Sequence, residues 1–333
     1  MSQIERKKET PTRNIALELL RATESAALAA SKWIGSGNKE AGDKAAVEAM
    51  RNIFQSIDIN GTVVIGEGEK DQAPMLYINE RLGTLTGPAF DIAVDPVEGT
   101  NLLATGRPNS ISVIALSPSG TMMRAGPSFY MKKIVVPKPA ADYVDIDAPV
   151  RYNLERVAKA LNKKVSDLTV FVLDKPRHQD LIKEIREVGA RVQLHSDGDI
   201  VGALLAAFPQ TDVDILLGTG GTPEGIISAA AIKVLGARIL GKFDPQKEDE
   251  KRRLIEEGYD MNKVYTEDDM IKSDDVYFVA TGITNGSLLK GVKIIEHTAI
   301  THSIVMRGHT GTIRYIESHH DLERLNQISM INY

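Results

Sequence analysis

Six consecutive residues, Asp95-Pro-Val-Glu-Gly-Thr100, combine two carboxylates, a stiffened turn and a hydroxyl. Pro96 restricts the backbone between Asp95 and Glu98, Gly99 lets the main chain approach an anion, and Thr100 stands at a predicted helix N-terminus. Free amides and the helix dipole favour phosphate at such a terminus. Three further acids are presented by their local sequence. Asp43 lies in the first turns of a helix after a glycine turn, Glu67 follows Gly61-Thr-Val-Val-Ile-Gly66, and Glu224 follows Gly218-Thr-Gly-Gly221. Several carboxylates in one cleft raise each other's pKa unless a hard cation neutralises them. Oxygen donors suit Mg²⁺ or Mn²⁺, whereas the lack of cysteine and of any H-x-x-x-H spacing argues against a typical zinc site. Two or more such ions would polarise phosphoryl oxygens, acidify a bound water and shield a leaving alkoxide, so the chemistry expected is phosphate-ester hydrolysis.

Elements must deliver these side chains to one place. Apolar spacing predicts a helix over Thr12 to Ile34, ended by Gly35-Ser-Gly37, and a second over Lys39 to Ile57. Short strands are predicted at 61–66 and 90–95, both with carboxylates at or just beyond their C-terminal ends. Residues 111–116 and 130–136 read as further strands of the same sheet. From about residue 151 helix and strand alternate: helices at 152–162, 177–188, 199–207 and 222–235, strands at 168–173, 190–195 and 213–217. That order implies a second sheet with helices over it. Late strands are expected at 276–283, 300–307 and 311–316. The charged run Lys247 to Arg253 reads as a solvated helix face.

Composition narrows the function classes. The 333 residues carry 40 basic and 45 acidic side chains, a net charge of −5, with no Lys/Arg stripe to track a polynucleotide, so a nucleic-acid partner is disfavoured. The absence of cysteine excludes disulfides and thiolate catalysis. The first residues are charged where a signal core would be apolar, and no run approaches the roughly 18 apolar residues of a membrane span. A cytoplasmic protein without a membrane partner is expected. The segment Gly218 to Gly225 lacks the Lys-Ser/Thr of a P-loop and the G-x-G-x-x-G spacing of a dinucleotide fold.

At Asp95 to Thr100 the chain resembles the lithium-sensitive sugar-phosphatase superfamily of inositol monophosphatases and fructose-1,6-bisphosphatases. Thr23 to Ala29 (TESAALA), Val63 to Glu69 (VVIGEGE), Ala73 to Ile78 (APMLYI), Lys175 to His178 (KPRH), Asp197 to Asp199 (DGD), Gly220 to Gly225 (GGTPEG) and Ala280 to Thr284 (ATGIT) are similar to the bacterial class II fructose-1,6-bisphosphatases. These segments span nearly the whole chain. The resemblance implies a layered α/β sugar-phosphatase fold with two sheets and intervening helices. Within it are expected a polar extension over 1–11, an N-terminal lobe over 12–150 and a C-terminal lobe over 151–333, packed as one catalytic unit.

The resemblance also implies hydrolysis of the 1-phosphate of fructose 1,6-bisphosphate with Mg²⁺ or Mn²⁺, two or more ions per site, and a homo-oligomer, dimer or tetramer. Carried over by position, Asp43 and Glu67 would hold one metal, and Asp95, Glu98 and Glu224 another. Asp43 and Thr100 would be catalytic, positioning and deprotonating the attacking water. Substrate contacts would be Glu98, Gly99, Thr100, Tyr130, Lys175, Pro176, Arg177, Asp197, Gly198, Asp199 and Gly221. Lys175 and Arg177 suit a second phosphate, and Asp197 and Asp199 suit sugar hydroxyls. A helix N-cap role for Asp199 and a strand-core role for Tyr130 are the plain alternatives. The alternative substrates are an inositol phosphate, a nucleotide 3′-phosphate or sedoheptulose 1,7-bisphosphate. The insertion carried by relatives that also cleave the last of these is absent between Glu69 and Asp95. A non-catalytic sugar-phosphate-binding regulator is the remaining alternative.

Overall fold

A computed structural model describes residues 14–68, 75–329, 331 and 333. The expected extension over 1–11, Glu69 and the start of the Ala73–Ile78 segment lie outside them.

The chain opens with α1 (Ala16–Ser31), an alanine-rich helix buried along most of its length and packed between α2 (Lys39–Phe54) and a sheet. The Asn38 side chain caps α2 by accepting the Ala41 N–H at 3.1 Å. There follow β1 (Asn60–Ile65), β2 (Arg81–Leu82), β3 (Ala89–Glu98), the single-turn α3 (Thr100–Thr105), β4 (Ile111–Pro118) and β5 (Tyr130–Val136). Alternation then sets in as expected: α4 (Val150–Ala160), β6 (Thr169–Leu173), α5 (Gln179–Val188), β7 (Arg191–His195), α6 (Asp199–Ala207), β8 (Ile215–Gly221) and α7 (Thr222–Leu235). Next come β9 (Arg238–Phe243), α8 (Glu248–Glu256), β10 (Tyr265–Thr266) and α9 (Glu267–Met270). The chain ends with β11 (Tyr277–Gly282), β12 (Lys293–Ile295), β13 (Thr298–Arg307), β14 (Thr312–Asp321) and α10 (Leu322–Ile328).

The strands form two mixed sheets. One has eight strands in the order β12-β13-β11-β4-β3-β1-β2, with β14 also paired to β13; the other has six, β10-β9-β5-β8-β6-β7. Three apolar clusters show how the layers stack. One joins α1 and α2 to one face of the first sheet through Phe54, Ile92 and Val279. The largest lies between the sheets, where α6 and α7 are buried with Val113, Phe278, Val135 and Leu216. The third packs α4 and α5 on the far face of the second sheet through Leu154, Val172 and Ile185. The fold is therefore layered α/β, and α6 and α7 are apolar around most of their circumference because both faces are covered.

One expectation is corrected. Residues 130–136 do not continue the sheet of residues 111–116; β5 lies inside the second sheet, between β8 and β9. Ile134 and Val136 face the outer core, and Met131 and Val135 face the middle one. A strand buried on both faces fits the centre of either sheet, so its pattern does not specify its neighbours. Each sheet consequently draws strands from both halves of the chain.

Candidate active site

β1 and β3 run parallel, so their C-terminal ends reach the same edge of the first sheet and deliver Glu67 on one side and Asp95 and Glu98 on the other. β3 runs through Pro96 to Glu98, with a register shift against β4 between Asp95 and Glu98. Proline has no N–H for the ladder, and the local irregularity turns the carboxylates toward the strand end. Gly99 then adopts a left-handed conformation (φ 81°, ψ 51°) that starts α3 at Thr100. Asp43 enters from the first turns of α2 and Glu224 from the first turn of α7.

Together these residues line a cleft of about 350 Å³ that includes Asp43, Glu67, Asp95, Glu98, Gly99, Thr100, Asp197 and Glu224. Asp95, Glu98 and Glu224 each offer an oxygen within 4.8 Å of the others. Glu98, 5% exposed, accepts the Ile200 N–H at 2.9 Å through Oε1, which ties it to the start of α6. Asp95 Oδ1 accepts the Val97 N–H at 3.1 Å. Glu224 Oε2 is buried with no hydrogen-bond partner among the described residues.

The carboxylates of the cleft repel one another. Burial, then the charge of Asp43, pushes Glu67 up to about 8. Burial, then Glu224, pushes Glu98 up to about 8 despite the Ile200 amide. Asp95 is raised well above the carboxylate range by burial and then by Glu98, Glu67, Glu224 and Asp43. Burial raises Asp43 and Glu224 as well. A set of converging oxygen donors that cannot all ionise in one another's company, one of them without a hydrogen bond, fits hard divalent cations.

Apart from Asp197, the remaining expected site residues lie beyond the walls of this cleft, at the start of α6, in the second sheet and in the turn after β6. Asp197 reaches the cleft and accepts a hydrogen bond from Asn101 at 3.2 Å, while Gly198 and Asp199 start α6. Tyr130 faces Gly221 across β5 and β8. The Arg177 guanidinium lies 4.8 Å from the Tyr130 ring centre and donates to the Thr219 carbonyl at 3.1 and 2.9 Å. Lys175, half-buried, and Pro176, exposed, precede it after β6.

The profile of the family described as bacterial fructose-1,6-bisphosphatase, glpX-encoded, matches residues 13–320. The chain belongs to this family. Among its relatives is the fructose-1,6-bisphosphatase 1 class 2 of Escherichia coli (strain K12), 45% identical over 325 residues, which cover 94% of this chain and 96% of the relative. The fructose-1,6-bisphosphatase class 2 of Shigella flexneri matches with the same identity and coverage.

Two residues of this fructose-1,6-bisphosphatase family member escaped the sequence reading of the site. Lys133 is 2% exposed, forms an ion pair with Asp199 and donates to the Gly221 carbonyl at 2.7 Å. The available signal was its parity with Met131 and Val135, which places it on the inward face of β5. His178 accepts the Thr219 N–H at Nε2 (2.8 Å) and lies 2.7 Å from the Leu173 carbonyl at Nδ1, which defines a neutral ring that burial keeps neutral. It braces the turn that carries Arg177. Its place in Lys175-Pro-Arg-His178 was the signal.

Proposed function

We propose that the chain is a divalent-metal-dependent phosphatase that hydrolyses the 1-phosphate of fructose 1,6-bisphosphate, giving fructose 6-phosphate and inorganic phosphate. The convergence of Asp95, Glu98 and Glu224 beside Asp43, Glu67 and Thr100 in one cleft, within a chain of this family, carries the reading. Asp43 and Glu67 would hold one ion and Asp95, Glu98 and Glu224 another. Bound Mg²⁺ or Mn²⁺ would polarise the phosphoryl oxygens, acidify a water and shield the leaving oxygen.

The chain's own residues supply the rest. Thr100 and Asp43, lining the same cleft, orient the attacking water and take its proton. Asp197 and Asp199 accept hydrogen bonds from sugar hydroxyls. Lys175 and Arg177 bind the second phosphate; two of the five guanidinium N–H groups of Arg177 are spent on Thr219, which leaves three. The neutral His178 and the Tyr130 ring hold that guanidinium in place. A dimeric or tetrameric state in the cytoplasm completes the reading; among the described residues no helix is long and apolar enough to cross a membrane.

Phosphate release from fructose 1,6-bisphosphate, sedoheptulose 1,7-bisphosphate and an inositol monophosphate, with Mg²⁺ and Mn²⁺ in turn, tests the proposal. Fructose 1,6-bisphosphate should be the best substrate and chelation should abolish turnover. Asp43→Asn and Thr100→Ala should melt near the parent temperature and lose about 10²–10⁴-fold in rate. Preference for the inositol phosphate, or substantial turnover by both variants, would overturn it.

A further inference from the structure

A buried ammonium must find acceptors for its donors or give up its charge. Lys133 has two on the buried side of β5, the Asp199 carboxylate and the Gly221 carbonyl. Asp199 is also buried, at the first position of α6, and its charge is felt by both Glu98 and Glu224. Electrostatically it belongs to the carboxylate cluster. Its oxygens nevertheless stand outside the group that Asp95, Glu98 and Glu224 form. Two features keep it there. Lys133 holds one oxygen, and bare backbone at Gly220 leaves room for it, since a β-carbon there would fall 2.1 Å from Asp199 Oδ2.

We infer that Lys133 is a positioning residue that reserves Asp199 for a sugar hydroxyl and keeps it out of the metal cluster. The inference rests on the proposed function of the site. Its hydrogen bond to Gly221 fixes the ammonium against the turn that leads to Glu224, so one side chain ties the start of α6 to the start of α7. The same positive charge opposes entry of a metal from the sugar side. Without it, Asp199 becomes a further carboxylate open to a cation, and the site trades sugar affinity for metal affinity.

The test is Lys133→Met. KM for fructose 1,6-bisphosphate should rise at least fivefold, with a smaller change in kcat. Binding of Mn²⁺ alone, titrated by calorimetry, should tighten at least threefold and return toward the parent value when Asp199→Asn is added. A purely structural lysine would weaken both affinities. A KM change below fivefold, or Mn²⁺ binding that fails to tighten threefold, overturns the inference, as does tightening that persists in the double variant. If Lys133→Met does not fold, Lys133→Gln keeps two amide donors while losing the charge and is judged by the same criteria. Failure of both to fold assigns Lys133 to stability and overturns the inference. A parent protein that releases no phosphate would sink the proposed function and the sugar half of the inference with it, whereas the Mn²⁺ titration, which needs no substrate, still reads whether Lys133 keeps Asp199 out of the metal cluster.

Discussion

A β-carbon at position 221 would fall 1.6 Å from Glu224 Oε2, inside any contact distance. Gly221 therefore owes its place to the carboxylate that folds back over it, in addition to the substrate contact implied by resemblance. Gly221→Ala should push the Glu224 carboxylate out of line with Asp95 and Glu98. A displacement on the order of 1 Å costs about 10²-fold in rate, and metal half-saturation should rise with it. Steady-state assays across a Mn²⁺ series check this, with the metal-free melting temperature expected to stay near the parent. The carboxylates themselves were legible because each follows a strand or a glycine turn that presents it. Lys133 was not, because a lysine on the inward face of a strand needs an acid to explain its burial, and that acid, Asp199, stands 66 residues further on.

At the scale of elements, α6 matters most because its first turn carries Asp199 and anchors Glu98. It approaches β6 closely at Gly202, where a β-carbon would lie 2.4 Å from the Phe171 ring. Gly202→Ala should overpack this contact and destabilise the protein by about 1–3 kcal/mol. A lowered urea midpoint with an unchanged m value would register it. Helices 199–207 and 222–235 were legible to the residue, since Gly198, Gly221, Pro223 and Gly236 punctuate them. β8 was read too short. Its glycine-rich end, Gly218 to Gly221, looks like a loop but pairs with Lys133 to Tyr130 of β5. Likewise β3 runs on to Glu98 past a proline that reads as a stop. A partner far along the chain decided the end of β8 and the sheet to which β5 belongs, whereas the end of β3 is fixed by Glu98 facing Ile111 of the adjacent β4.

For the whole molecule, the buried acids link stability to pH and to metal. Glu67 and Glu98 ordinarily titrate at 4.5 and are pushed up to about 8, chiefly by burial. Between those values the metal-free fold holds protons that the unfolded chain has released, so its stability falls as pH rises through the window. Metal uptake expels those protons and reverses the loss. Calorimetry should show the metal-free protein melting lower at pH 8 than at pH 6, by at least a few degrees, and Mg²⁺ raising the melting temperature more at pH 8. The opposite slope would exclude these carboxylates as the linked groups. The sheet order carries a consequence in time. β4 pairs with β3 on one side and with β11 on the other, and the chain between Pro118 and Tyr277 must be made before β11 exists. At ~5–20 residues per second, that edge stays open for roughly 8–30 s on the ribosome. A nascent chain with one edge of an apolar strand waiting that long unpaired is exposed to association with its neighbours. The yield of this enzyme in a cell is thus set partly during synthesis, by how well that edge is shielded before the last sixth of the chain arrives.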